Sequence, residues 1–263
     1  FELFSAGELM PQDQVIPAIQ AGTLDFALMV GLDVAEPVDI AEIECFPPFL
    51  WNNGLEAHAM WDYWGLDAIW TEAYEELGGI KFVGMQMHDP IHLISTKPIN
   101  TYEDLDGLKI NAFKTVARPF TEAGATSVVL PVEEYYLGAQ TGVVEGLIWC
   151  GATEATNNGW NEVMPYFLTN PVNGNALCWV VMNEDLWDSL DQCDQNLITL
   201  GHRELQIRNL AYYYEHEPKR RTTEYWTELT TLPDEDWQRL VDEQWAYYDE
   251  IATQSPRVAE AVR

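Results

Sequence analysis

The chain has 263 residues, 47% of them apolar, enough for one large domain or two lobes with their own cores, and this excludes a disordered chain. Thirteen basic against 43 acidic residues give a formal charge of −30, so nucleic acid and anionic membrane surfaces are repelled wherever salt does not screen the field. No run of about eighteen apolar residues offers a route for direct membrane insertion.

Cys45, Cys150, Cys178 and Cys193 lack the close pairing of a zinc ribbon or a redox motif, and they read as small buried residues. If the protein is exported, one or two disulfides are open to it, in a pairing that spacing does not decide.

In chain order, Phe1-Glu2-Leu3-Phe4 reads as a strand. Residues 12–20 carry Val15, Ile16 and Ile19 at helical spacing and stop at Ala21-Gly22. Residues 24–30 follow as a short buried strand. Phe46-Pro47-Pro48-Phe49-Leu50 cannot lie inside a helix, because its prolines lack donors, and it reads as a rigid turn. Residues 56–77 suit one or two amphipathic helices ended by Gly78-Gly79, with their tryptophans in a core.

Residues 80–87 read as a strand, and His88-Asp89-Pro90-Ile91-His92 as a crossing into a second lobe. In extended chain His88 and His92 share a face while Asp89 points away, and no further ligand is spaced to complete a zinc site. They read as pocket-edge or surface histidines, with no metal.

From Gly107 to Trp149 strand and helix alternate, the pattern of a parallel sheet with helices on its faces. Strands are expected at 108–110, 128–130 and 144–148. In such a sheet small molecules sit beyond the carboxyl ends of the strands, which makes Asn111 to Lys114, Val132 and Trp149 candidates for ligand contact. Residues 154–164 look helical, 165–175 form a loop, and 177–182 form a strand that crosses back. Residues 186–217 keep helical period over a length of roughly 45 Å, as one long helix or as two broken near Gly201, with Pro218 ending or kinking it. Trp226, Leu229, Trp237, Leu240, Val241, Trp245, Tyr248 and Ile251 then supply terminal helices packed on the first lobe. This divides the chain into a first lobe, 1–87 with 176–263, and a second, 88–175.

Asp104-Leu105-Asp106-Gly107-Leu108-Lys109-Ile110, Gly124-Ala125, Leu130-Pro131, Glu134, Tyr136 and Gln140-Thr141-Gly142-Val143-Val144-Glu145-Gly146 fall in one order at characteristic distances. Together they resemble the solute-binding proteins of TRAP transporters, periplasmic receptors that hand small organic solutes, mostly carboxylates, to a membrane permease. The similarity extends more weakly from Phe1 to about Trp187. It implies an α/β, two-lobed, periplasmic binding protein-like fold, with mixed sheets flanked by helices and a long lobe-spanning helix. It also implies a periplasmic location, permease subunits as partners, and no catalysis or cofactor. The family carries a further strand and helix before the position of Phe1, bearing part of its ligand site, so the numbering is expected to begin inside the mature protein or the chain to be shortened.

The resemblance also marks site positions. The TRAP receptors usually present an arginine where Asn111 stands, and its planar fork grips the ligand carboxylate. Here an uncharged amide replaces it. Ile91 stands where a second polar or basic contact often lies. Lys114, at a position that touches ligand in some relatives, is a candidate replacement cation, and Arg118 on the next helix is a second; the alternative for Lys114 is a surface lysine. Trp149 falls where relatives place a polar or aromatic contact and would stack on a ring or a cation, or else belong to the core. Asn173 occupies the carboxylate position of a metal-using, keto-acid-binding branch, and its neutral side chain argues against a bound cation. Residues 46–50 match the segment lining the mouth between lobes, or form a surface turn. The expected solute is a small organic acid, with a neutral or zwitterionic solute as the alternative; a periplasmic sensor would use the same fold. Glu133-Glu134, Asp234-Glu235-Asp236 and His202 are joined by no catalytic spacing.

Overall fold

In the computed structural model, residues 2–5, 7–30, 38–40, 42–44 and 47–263 are described, apart from the side chain of Lys114. Among them the helices are α1 (Val15–Gln20), α2 (Gly54–Trp64), α3 (Leu66–Glu75), α4 (Lys114–Glu122), α5 (Tyr135–Gln140), α6 (Ala152–Asn157), α7 (Glu184–Ser189), α8 (Gln192–Arg220), α9 (Asp234–Ile251) and α10 (Pro256–Ala261). The strands are β1 (Phe26–Met29), β2 (Ile80–Met87), β3 (Leu93–Ser95), β4 (Lys109–Asn111), β5 (Thr126–Ser127), β6 (Gly146–Ile148), β7 (Tyr166–Leu168), β8 (Leu177–Asn183) and β9 (Glu228–Thr230).

Two sheets organise these elements. In the smaller, β8 lies between β1 and β2 and runs antiparallel to both. Its run Leu-Cys-Trp-Val-Val-Met-Asn is apolar almost throughout because both faces are covered. The larger sheet has the order β5-β4-β6-β3-β7-β9, with β5, β4 and β6 mutually parallel and β3 antiparallel to both β6 and β7. The fold is the mixed, two-lobed α/β architecture implied by the sequence.

Trp61 of α2 with Trp70 and Tyr74 of α3 forms the core under the smaller sheet, whereas Trp64, also expected in the core, is 71% exposed at the end of α2. Trp61 meets Trp70 at 5.5 Å and Tyr74 meets Trp179 of β8 at 5.7 Å, while the Tyr74 hydroxyl donates to the buried Glu44. Each such side chain withdraws a large apolar area from water, about 2–3 kcal/mol of driving force. A second cluster under the larger sheet gathers Tyr135, Leu147, Trp160, Phe167 and Trp226.

The long helix α8 is continuous through Gly201 and runs to Arg220, two residues past Pro218. Asp191 caps its start by accepting from the Cys193 and Asp194 N–H groups at 2.8 and 3.0 Å, and Lys219 and Arg220 complement the negative end of its dipole. It touches the smaller sheet, where Gln86 Nε2 donates to His202 O at 3.3 Å, and also α6, where Arg220 Nη1 donates to Thr156 Oγ1 at 2.7 Å. Beside it β2 shifts register between Phe82 and Gly84; Gly84 has φ 149°, and a Cβ there would stand 2.6 Å from the His202 ring.

Several expectations change. Residues 2–5 form no strand, and Leu3 is 90% exposed, with no neighbouring strand to bury it. β1 is an edge strand whose Leu28 is 61% exposed rather than fully buried. β5 stops at Ser127 because Pro131 follows closely and the Leu130 N–H is taken by a side chain. The helix expected over 154–164 ends at Asn157 and gives way to a tight turn at 160–162.

The terminal segment does not serve the first lobe alone: β9 extends the larger sheet beside β7, Trp226 enters the second cluster, and α9 packs on α4. Cys150 and Cys178 are buried, Cys193 is exposed, and Cys45 and Phe46 lie outside the described residues.

At the first crossing His92 is wholly buried rather than superficial; its Nδ1–H donates to Leu168 O at 2.8 Å and its ring lies 4.7 Å from Phe167. Burial holds the imidazole well below its ordinary pKa, and the Arg221 charge adds to this. Asp89 is also buried, with Oδ2 accepting from the Gly151 N–H at 2.7 Å. Burial pushes its carboxyl well above the ordinary value, and the Glu217 and Glu154 carboxylates push the same way. A carboxyl whose folded pKa exceeds its unfolded value of about 3.9 contributes stability at low pH that is lost as pH rises through the folded pKa. Asp89→Asn keeps an acceptor for Gly151 without the charge. Its melting temperature is therefore expected to exceed that of the parent by about 3–6 °C near pH ~8 and to converge with it near pH ~4, as read by thermal melts across that range.

Candidate functional site

The register of the larger sheet lines up one rim. Asn111, the last residue of β4, stands opposite Leu147 of β6, two residues before Trp149. On the other side of β6, Ile148 pairs with Leu93 of β3, and the ladder runs on through the His92 N–H to Cys150 O at 3.2 Å. Ile91 then bridges to Asn173, its N–H reaching Asn173 O at 2.8 Å. Asn111, Trp149, Ile91 and Asn173 thus follow one another along the carboxyl ends of the parallel strands and the entry to β3.

The stretches 42–44 and 47–51 abut this rim. The Phe49 N–H donates to Val172 O at 2.8 Å, the Gly174 N–H to Trp51 O at 2.9 Å, and the Trp51 indole N–H to Asn175 O at 3.0 Å. Phe49 has φ 61°, a conformation that costs a non-glycine residue roughly 1 kcal/mol or more, and its ring meets Trp237 at 5.2 Å. At the start of α4 the Thr115 hydroxyl donates to Glu42 at 2.8 Å, and the Tyr247 hydroxyl of α9 donates to the same oxygen at 3.0 Å. Burial and the Glu42 carboxylate push the Tyr247 phenol up to about 12, so it remains a donor at any ordinary pH.

Two amides give the rim its polar character. Asn111 is 0% exposed and its Oδ1 accepts from the Leu130 N–H at 2.8 Å. Asn173 is 1% exposed and its Oδ1 accepts from the Gly174 N–H at 3.0 Å. A backbone donor fixes which end of each amide carries oxygen, so Nδ2 is the end that remains, and neither Nδ2 has a partner among the described residues. Leaving such a donor buried costs about 1–3 kcal/mol. Between them stands an aromatic wall: the Trp149 ring lies 5.7 Å from Phe113 and 5.8 Å from Tyr135. The rim can therefore donate to ligand oxygens and present π faces, and among the described residues it holds no guanidinium.

The remaining candidates are placed differently. Val132 is 41% exposed and opens the turn after Leu130-Pro131, at the outer end of the rim. Arg118 is paired with Glu122 at 3.1 Å and lies over the Tyr247 ring at 5.4 Å, where it ties α4 to α9. Lys114 begins α4, and its side chain lies outside the described residues. Tyr135 and the Glu42–Thr115 contact carry no signal of this kind in the sequence, whereas Phe113 falls inside the run Asn111 to Lys114 that the strand-end rule marks. The Glu42 contact spans 73 residues and has no local signature.

A cavity of about 330 Å³ lies between α8 and the crossings, lined by His88, His92, Gly174, Tyr213, Glu217 and Arg221 among others. Asn111 and Trp149 do not line it. Among the described residues no three His, Cys, Asp or Glu side chains converge to hold a metal ion, and no helix is long and apolar enough to cross a membrane.

Comparison with known proteins identifies the family. The family model of bacterial extracellular solute-binding proteins, family 7 (DctP), matches residues 1–255. A TRAP periplasmic solute-binding protein of Chromohalobacter salexigens, solved with bound (S)-2-amino-1-propanol, is 30% identical with a TM-score of 0.91, covering 99% of this chain and 82% of its own. The ectoine-binding periplasmic protein TeaA of Halomonas elongata is 25% identical over 205 residues, 75% of this chain. A monocarboxylate 2-oxoacid-binding periplasmic protein of a Nostoc species is 24% identical over 211 residues, 80% of this chain. The chain spans 58% of the length of each of these two curated relatives. The relatives are binding proteins of transporters rather than enzymes. The chain belongs to the bacterial extracellular solute-binding proteins of family 7, the extracytoplasmic solute receptors of TRAP transporters.

Proposed function

We propose that this protein is the periplasmic receptor of a TRAP importer that closes two lobes over a small amino-bearing solute, such as an amino alcohol or zwitterion, and delivers it to the membrane permease. The lobes are 1–87 with most of 176–263, and 88–175 joined by β9. The observation that carries the reading is the pair of buried amides, Asn111 and Asn173, with unpartnered Nδ2 donors beside the Trp149–Phe113 wall. Two neutral donors suit a hydroxyl or carboxylate oxygen, and the indole face suits an ammonium group at about 0.5–2 kcal/mol.

A chain of charge −30 also attracts a cation into its cleft more readily than an anion. The Chromohalobacter relative with its bound amino alcohol supports the same class. Closure would bury the solute against Ile91 and the aromatic wall, with the Glu42–Thr115 contact joining the lobes beside it. A small organic acid is the second reading, favoured by Lys114 at the first turn of α4 and by the 2-oxoacid-binding relative.

A thermal-shift and calorimetry panel of (S)-2-amino-1-propanol, alanine, acetate and pyruvate separates the readings. The amino compounds are expected to raise the melting temperature and the simple acids to leave it unchanged; the reverse ranking would refute the proposal. Asn111→Ala removes both the free donor and the acceptor for Leu130, and is expected to weaken binding of the best ligand by about tenfold or more in calorimetry. Asn111→Arg supplies the missing fork and should shift preference towards acetate and pyruvate.

A further inference from the structure

Gly151, Ala152 and Thr153 open α6 directly after Trp149 and Cys150, and their N–H groups have no partner within the helix. A helix start commonly uses its own N-cap side chain, and Gly151 has none. Two distant carboxylates serve instead. Asp89, from the first crossing, accepts from the Gly151 N–H at 2.7 Å. Glu217, from α8 and 65 residues away from Ala152, accepts from the Ala152 N–H at 3.1 Å through Oε2 and from the Thr153 N–H at 2.7 Å through Oε1.

One turn later, just past the end of α8, Arg221 donates to Glu217 Oε2 from Nε at 3.0 Å and from Nη2 at 2.9 Å. Glu217 is buried, and a Cβ on Gly151 would stand 2.7 Å from both of its carboxylate oxygens. The bare backbone is what admits the carboxylate. The short loop that carries Trp149 is thus clamped from behind by the crossing and by the long helix.

We propose that Glu217, seconded by Asp89, is the positioning residue of the solute site: by clamping the 151–153 backbone it holds the Trp149 indole in register with Asn111. The link to affinity rests on the reading of Trp149 as a solute contact. A carboxylate is required rather than any acceptor, because the Ala152, Thr153 and Arg221 donors converge on its two oxygens. Glutamine offers one oxygen and turns an NH₂ group towards a donor.

The test uses the full chain labelled with 5-fluorotryptophan, with the Trp149 resonance assigned by Trp149→Phe, and compares Glu217→Gln, Gly151→Ala and the exposed control Glu215→Gln. Gly151→Ala displaces the same carboxylate from the opposite side, so it carries the test if Glu217→Gln fails to fold. Below the melting temperature either variant is expected to shift the Trp149 resonance and to weaken (S)-2-amino-1-propanol binding by about tenfold, while Glu215→Gln does neither. An unchanged Trp149 resonance in a folded variant overturns the positioning role whether or not any solute binds. A shifted resonance with unchanged affinity overturns the link to the solute and removes Trp149 from the site.

Discussion

The pairing register of the six-stranded sheet is the constraint on which the site depends. β4, β6 and β3 contribute only three residues each to the ladder, yet their alignment decides that Asn111, Trp149, Ile91 and Asn173 fall along one line. A slip of one residue would exchange the faces of every side chain in a strand and carry the rim residues out of line. The two hydrophobic clusters oppose such a slip, since Ile110 belongs to one and Leu147 to the other, and both would have to leave their cores.

At position 111 the chain trades charge for economy. A guanidinium buried there would need a partner at all times, because an uncompensated buried charge costs several kcal/mol. The Asn111 amide spends one end on the Leu130 backbone and leaves a single neutral donor, a far smaller penalty. In the proposed receptor, recognition rests on donor geometry and aromatic surface rather than on ion pairing. Such a site discriminates chiefly against molecules that lack an oxygen where a donor points.

Much of the fold was legible because strong periodicity coincided with punctuation. β2 was readable along its length from an apolar run after paired glycines, and α2 and α3 from apolar spacing over 22 residues, broken at Gly65. The strand-end rule alone sets Asn111 and Trp149 on one rim, two residues apart across the β4–β6 ladder. What escaped depends on partners far apart in sequence. β9 is three residues long and acquires its identity only beside β7, and no local signal marks Glu217 as the cap of a helix 65 residues earlier. Arg118 carried the charge expected of a ligand contact, but its helical phase directs it to Tyr247.

Gly84 and His202 bear on how such sequences diverge. Because the imidazole occupies the space a methyl group would need, a side chain at 84 demands a smaller residue at 202. In a set of homologous chains these two columns should vary together or stand still, a correlation that would reflect steric exclusion between strand and rod rather than any demand of the cargo.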